Sequence, residues 1–390
     1  MRLRFHGGFG EKGRTSLAVE GGGVRLLLDV GIDTAGTGPA RYPAISPREL
    51  ARIDAILVTH AHEDHIAALG WCLAHGFAGR ILMTPETLAD RDACFADYAE
   101  PAHAALALAA PVETFRAGET LRLGGLAVET GRSGHAVGGV WFRLLDERGA
   151  SALYCGDTVP HSPVLAMDPP PPSDVILFDA SYGGDAVPTQ ERAAAIRAHV
   201  AARPGPCLLP VPLVGRPIEL LALLDAPIAI HHGLRESLCA QIANRAWLRE
   251  DVGADLARRL TAACDWADGE PFPNFPLLVH DAMGLSGPSV AAIGRAVEEA
   301  VPILFTGHVP EGSPGHRALA AGHAHWIRLP THPTWPDTLA MIAACRPAWA
   351  TGHSCPIEVM EALAAAAPGV LRTVQVGETV EVGALSTERA

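Results

Sequence analysis

Apolar and polar positions alternate through the first thirty residues. RLRF, a Gly-rich turn, TSLAVE, a second turn at residues 21–23 and VRLLLDV read as paired strands, because period-two alternation sends one face of each strand into a core. DAILVTH is a short apolar run ending at His60, the pattern of a buried strand. Residues 66–75, IAALGWCLAH, carry apolar positions at helical spacing, with Asp64 placed to cap the first turn. RILMT, LAVETGR, GVWFRLLD and SALYCGD are further strands, the proline run at 169–172 is a loop, and VILFDA is another buried strand.

From about residue 189 the pattern becomes alternating helix and strand. TQERAAAIRAHVAA, RPIELLALLDA and SVAAIGRAVEEA read as helices; PCLLPVPL, LLVHDAM and PILFTGH read as strands between them. That alternation predicts a parallel βαβ lobe. The last seventy residues return to the first style, with WIRLPTH, a helix at DTLAMIAACR, AWATGH and a terminal strand pair around TVQVGETVEV. The expectation is an α/β chain in which one αββα sandwich is interrupted by an inserted α/β lobe.

Charge narrows the function. The chain has 43 acidic against 30 basic residues, a formal charge of −13. A nucleic-acid binder normally shows a basic footprint, so any polyanion must be gripped by a local patch. The eight cysteines are scattered and none forms a CxxC pair, which predicts reduced packing residues. Cys355, two residues beyond a candidate ligand, is the one to watch. Neither the first residues nor any later run has the apolar length of a signal peptide or a membrane span, so a cytoplasmic protein with no membrane contact is expected.

The strongest chemical signal is His60-Ala61-His62-Glu63-Asp64-His65 between a strand and a helix. Three imidazoles and a carboxylate in six residues suit zinc. Strand alternation aims His60 and His62 to one side, while Asp64 and His65 approach from the turn, so two ions are expected.

HAHEDH resembles the HxHxDH signature of the metallo-β-lactamase superfamily. Asp29 in LLLDVGI, His135 in RSGHAVGG, Asp157 in YCGDT and His353 in ATGHS resemble that family's other motifs in order. A narrower resemblance, to the β-CASP nucleases that include ribonuclease J and the pre-mRNA 3′-end endonuclease, covers nearly the whole chain. GEKGRTS, FDASYGG, LLPVPLVGRPIELLALL, HDAMGLSGPS and TGHVPEGSPGHRAL carry it. It implies a metallo-β-lactamase sandwich at residues 1–184 and 326–390, with a β-CASP insert at 185–325. By position Asp179, His332 and His353 match the β-CASP motif A acid and the motif B and C histidines. Motif B departs from the family's Ser-x-His-x-Asp, reading Thr331-His332-Pro333-Thr334, and Ser354-Cys355 replaces the usual Gly-Glu after motif C.

The resemblance implies two Zn2+ ions, with Mn2+ as the alternative. His60, His62 and His135 would hold one, Asp64, His65 and His353 the other; Asp157 would bridge them and Asp29 would support an imidazole. Such ions activate water near neutral pH for attack on phosphorus. His332, oriented by Asp179, is the expected acid for the leaving oxygen. Arg14, Arg216 and Arg317, with Lys12, are candidates to grip phosphates. The function expected is a ribonuclease acting on single-stranded RNA between the lobes. The alternatives are a hydrolase of the same fold acting on DNA or a small ester or phosphodiester, and a non-catalytic assembly partner. For His231-His232 and His323-x-His325, ordinary polar roles are expected, because no nearby acid or cysteine completes a metal set.

Overall fold

The computed structural model describes residues 1–225, 227–282 and 284–383. Residues 384–390 of the expected final segment, Ala226 of RPIELLALLDA and Met283 of LLVHDAM lie outside the described residues.

Two sheets face each other across one apolar layer. The first has seven strands, in the order Thr379–Glu381, Arg2–Gly7, Ser16–Gly21, Val24–Leu28, Ala55–Leu57, Arg80–Met83, Glu113–Thr114. The second has six, in the order Trp349–His353, Val175–Asp179, Ser151–Tyr154, Val140–Leu145, Leu126–Arg132, Thr120–Leu123. Leu3, Phe5, Leu17, Val19, Leu26 and Leu28 from the first share a core with Val128, Phe142, Leu144, Tyr154 and Leu177 from the second. The residues between them point the other way. Leu27, Ile56, Val58 and Ile81 join Leu69 and Phe95 of the helices over the first sheet, while Leu153, Ile176 and Phe178 join Met341 and Met360 of the helices over the second. Alternation with both faces covered gives four layers, αββα.

A third sheet is built entirely from strands between residues 207 and 326, in the order Cys264–Trp266, Ala229–His231, Pro276–Val279, Cys207–Pro210, Ile303–Phe305, Ala324–Trp326. Every pairing in it is parallel. Parallel strands need crossovers, and Arg216–Leu223, Arg235–Ala243, Gly253–Ala262, Gly287–Glu298 and Pro314–Ala320 supply helices between them. In a parallel sheet all carboxyl ends lie along one edge, where loops build sites.

Two expectations are corrected locally. Asp64 does not cap the helix after HAHEDH. That helix, Glu63–Ile66, starts two residues earlier with His62 at the cap position, and the apolar stretch splits into a second helix, Leu69–Ala74. The terminal segment supplies one strand, Thr379–Glu381, which pairs with Arg2–Gly7 rather than with a neighbour in sequence. No helix among the described residues is long and apolar enough to cross a membrane.

The lobes are strapped together through residues 159–168. Ala166 N–H donates to Trp247 O, Arg249 N–H to Val164 O, and Arg132 to Ala246 O. The Ser162 hydroxyl donates to Glu219 at 2.6 Å, fully inside the contact. Burial raises the Glu219 carboxyl to about 7, against the opposing pull of Ser162 and Arg216. A carboxyl that holds its proton more tightly when folded contributes stability that is complete below the ordinary carboxylate range and drains as pH rises to about 7. Replacing Glu219 by Gln keeps an acceptor for Ser162 and removes the titration. The expected gain over wild type grows from near zero at about pH 4.5 to roughly 3 kcal/mol at about pH 8. Urea unfolding of both proteins across that range checks it; a gain that does not change with pH would refute the assignment.

Candidate metal centre

Asp29 anchors the site. It follows the Val24–Leu28 strand in a left-handed backbone conformation, φ 56°, which a non-glycine residue keeps only when its surroundings hold it there. They do so through the carboxylate. The Thr59 N–H donates to Oδ1 at 2.7 Å; on Oδ2, the Thr59 hydroxyl donates at 2.8 Å, His65 Nδ1–H at 2.7 Å and the Tyr154 hydroxyl at 2.8 Å. The adjoining backbone is equally tight: a Cβ at Gly31 would lie 1.7 Å from Asp64 O, so only glycine lets the HAHEDH turn pack there.

With Nδ1 of His65 spent on Asp29, Nε2 faces the centre, 3.2 Å from Asp157 Oδ1 and 3.6 Å from Asp64 Oδ2. His135 is set in the same way. Its Nδ1–H donates to Thr331 O at 2.6 Å, leaving Nε2 3.5 Å from Asp157 Oδ2 and 3.0 Å from His62 Nδ1. His60 places Nε2 3.1 Å from the same His62 nitrogen and 3.7 Å from Asp157 Oδ2. Among the described residues, His60, His62, His135 and Asp157 bring their ligand atoms within 4.8 Å of one another, and so do Asp157, Asp179 and His332.

The donors fit a cation. Three imidazole nitrogens converge at about hydrogen-bond distance, and lone pairs facing one another in that way repel unless a proton or a metal lies between them. His65 Nε2 and Asp157 Oδ1 are buried 3.2 Å apart, and neither makes a hydrogen bond of good geometry among the described residues. Burial lowers His60 well below its usual range and pushes His135 down to about 3, so both stay neutral and available as ligands. Burial also disfavours the His65 cation, but Asp157, Asp64 and Asp29 outweigh it and raise that group well above normal.

His353 sits differently from the set expected around a second ion. Its strand pairs with Val175–Asp179 so that Asp179 and His353 are direct partners, and it is fully buried with its ring 6.1 Å from that of His65. However, its Nε2–H donates to Gly156 O at 3.0 Å and its Nδ1 meets the Ser354 hydroxyl at 2.9 Å, which leaves it beside the two ligand groups. His332 is closer to the centre. Its Nδ1 lies 2.8 Å from Asp179 Oδ2 and 3.5 Å from Asp157 Oδ2. Burial opposes a charge on it, and Asp179 and Asp157 reverse that, pushing it up to about 10. Thr334, at the position of the aspartate missing from motif B, forms a reciprocal cap with Asp337 at the start of helix Trp335–Cys345.

A cavity of ≈ 480 Å³ opens beside His332 at the carboxyl edge of the third sheet. Of the three candidate arginines only Arg216 lines it, along with Lys12. Arg14 gives its guanidinium to Glu11, at 2.6 and 2.8 Å, and to Tyr42 O; Arg317 gives Nη1 to Gly312 O. Tyr182, His308, Trp326 and Arg328 also line the cavity, and sequence reasoning passed over them. Tyr182 lies inside the FDASYGG motif and could have been singled out there. His308 likewise lies inside TGHVPEGSPGHRAL, whereas Trp326 and Arg328 stand two residues apart in WIRLPTH with no chemical motif to mark them.

Residues 10–202 match the description of the metallo-beta-lactamase superfamily. The match spans just under half of the chain and identifies a metallo-beta-lactamase domain there. It is 30% identical over 244 residues to an endoribonuclease YSH1 of Mycosarcoma maydis, covering 57% of this chain and 28% of that protein. It is 28% identical over 234 residues to the cleavage and polyadenylation specificity factor 73 of Drosophila melanogaster, covering 55% of this chain and 34% of that protein. These relatives belong to the β-CASP branch, and the chain spans about a third of their length. A protein of unknown function from Enterococcus faecalis has the same fold, with a TM-score of 0.65 at 13% identity, covering 98% of this chain and 99% of that one.

Replacing Asp29 by Asn would turn an amide donor toward groups that themselves donate. Metal affinity is expected to fall 10–100-fold, the usual loss when an imidazole ligand loses its orienting partner. Competition against a zinc chelator measures it; unchanged affinity would show that His65 needs no such support.

Proposed function

We propose that the chain is a binuclear zinc- or manganese-dependent ribonuclease that hydrolyses single-stranded RNA. The cleft lies between a metallo-β-lactamase domain, residues 1–184 and 326–390, and a β-CASP insert, residues 185–325. The observation that carries the reading is the Asp157 carboxylate, with one oxygen toward His65 and the other toward His60, His135 and His332. A carboxylate shared between two sets of donors is what a pair of ions requires. The endoribonuclease names of the relatives support RNA as the substrate.

His60, His62, His135 and Asp157 would hold one cation. The second would take Asp157 with Asp64 and His65, and His353 after its ring turns from Gly156 O. Bound there, the cations supply an activated water and offset charge on the phosphoryl oxygens. The chain's own contribution is to place a proton. Asp179 holds His332 through Nδ1, which leaves Nε2 for a leaving oxygen, and the Asp179 carboxylate favours the protonated ring. Arg216 and Lys12 then face the polyanion from the cavity wall.

Incubating zinc- or manganese-loaded protein with 5′-labelled single-stranded RNA and matched DNA tests the reading. RNA cleavage is expected, abolished in His65→Ala and slowed about 10²–10⁴-fold in His332→Ala with its metal retained. No cleavage of either strand, with metal bound, overturns it and directs attention to small esters and phosphodiesters.

A further inference from the structure

We propose that the cavity beside His332 is a one-nucleotide pocket in which Trp326 stacks a nucleobase and Arg216 takes the adjoining phosphate. The inference deepens the ribonuclease reading and rests on it only for the identity of the polymer.

Arg216 carries the phosphate half. It is 8% exposed, begins helix Arg216–Leu223 and lines the cavity, yet its Nε has no hydrogen-bond partner among the described residues. A buried guanidinium with an unmade bond is costly, and an anion is the partner that satisfies it. The wall is shaped for the guanidinium: a Cβ at Gly307 would lie 2.2 Å from Arg216 Nη1, so a side chain at 307 would displace it. Lys12 and Arg328 add positive charge, and no carboxylate is among the described lining residues. In a chain of net charge −13 that is the local patch a polyanion needs.

Trp326 carries the base half. It ends the last strand of the parallel sheet and stays 43% exposed at the cavity. Its ring is held, not loose. Nε1–H donates to Gly307 O at 2.7 Å, and the Arg328 guanidinium lies 5.1 Å from the ring centre. Arg328 is itself fixed by Asp185 at 2.7 Å and by the Tyr182 ring at 4.3 Å. A fixed, exposed indole next to a buried arginine is a stacking platform with a phosphate anchor, the combination that single-stranded nucleic-acid sites use. His332 lines the same cavity and stands 3.5 Å from Asp157, so a nucleotide seated there adjoins the reacting phosphate. The volume of ≈ 480 Å³ falls in the range of small-ligand pockets.

The test is binding, measured without cleavage. Full-length His65→Ala protein is titrated by fluorescence anisotropy with a short single-stranded oligoadenylate and with versions carrying one abasic position at each place in turn. Adding Trp326→Ala is expected to weaken binding about tenfold, with Trp326→Phe recovering most of it. One abasic position should cost the same factor, and cost nothing further once Trp326 is Ala. Arg216→Gln should weaken binding of every probe and flatten its salt dependence. Matched DNA losing the same factors supports the pocket, because neither contact uses the sugar. Unchanged affinity in Trp326→Ala, or equal affinity for every abasic probe, overturns it. Trp326-dependent binding without cleavage by loaded wild type would overturn the ribonuclease reading and leave the pocket. Cleavage with no dependence on Trp326 would do the reverse.

Discussion

The site depends on the four hydrogen bonds accepted by Asp29. This carboxylate joins the end of one strand, the Thr59 turn, the central histidine His65 and Tyr154 of the opposite sheet. It is fully buried, and removing it would take the acceptor from a backbone N–H, two hydroxyls and an imidazole N–H in a dry interior, at a cost of about 1–3 kcal/mol each. The same bonds hold an unfavourable backbone conformation and aim His65. Scaffold and reagent are therefore set by one group.

The molecule separates its charges by depth. Carboxylates gather at the centre, where Asp64, Asp157 and Asp179 create a demand for positive charge that favours a cation beside His65 and a proton on His332. Cations gather at the cavity wall, where Lys12, Arg216 and Arg328 stand within an acidic chain. A substrate rich in phosphate would be repelled by most of the surface and attracted at one opening. Overall charge is thus a poor guide to what such a chain binds, and the distribution around the cleft is a better one.

Much of this was legible in the sequence. Period-two strands exposed the sandwich, and the change to alternating helix and strand exposed the parallel sheet. HAHEDH announced a metal centre because few other constraints put four ligand types in six residues. What could not be read was set by rotation and by contact across long separations. Nothing in ATGHS says that the His353 ring turns to Gly156 O, and nothing near Arg14 says that Glu11 occupies it. Trp326 and Arg216 lie far apart in sequence and meet only because parallel strands bring their carboxyl ends to one edge. The single terminal strand belongs to the same class, since its partner lies at the other end of the chain.

The bond from His135 to the Thr331 carbonyl has a wider consequence. Thr331 lies on the segment that returns from the insert's last strand, so the histidine's tautomer is dictated by how that segment sits. Because Thr331 and His332 also line the cavity, one short segment both orients a group of the centre and builds the wall of the cleft beside it.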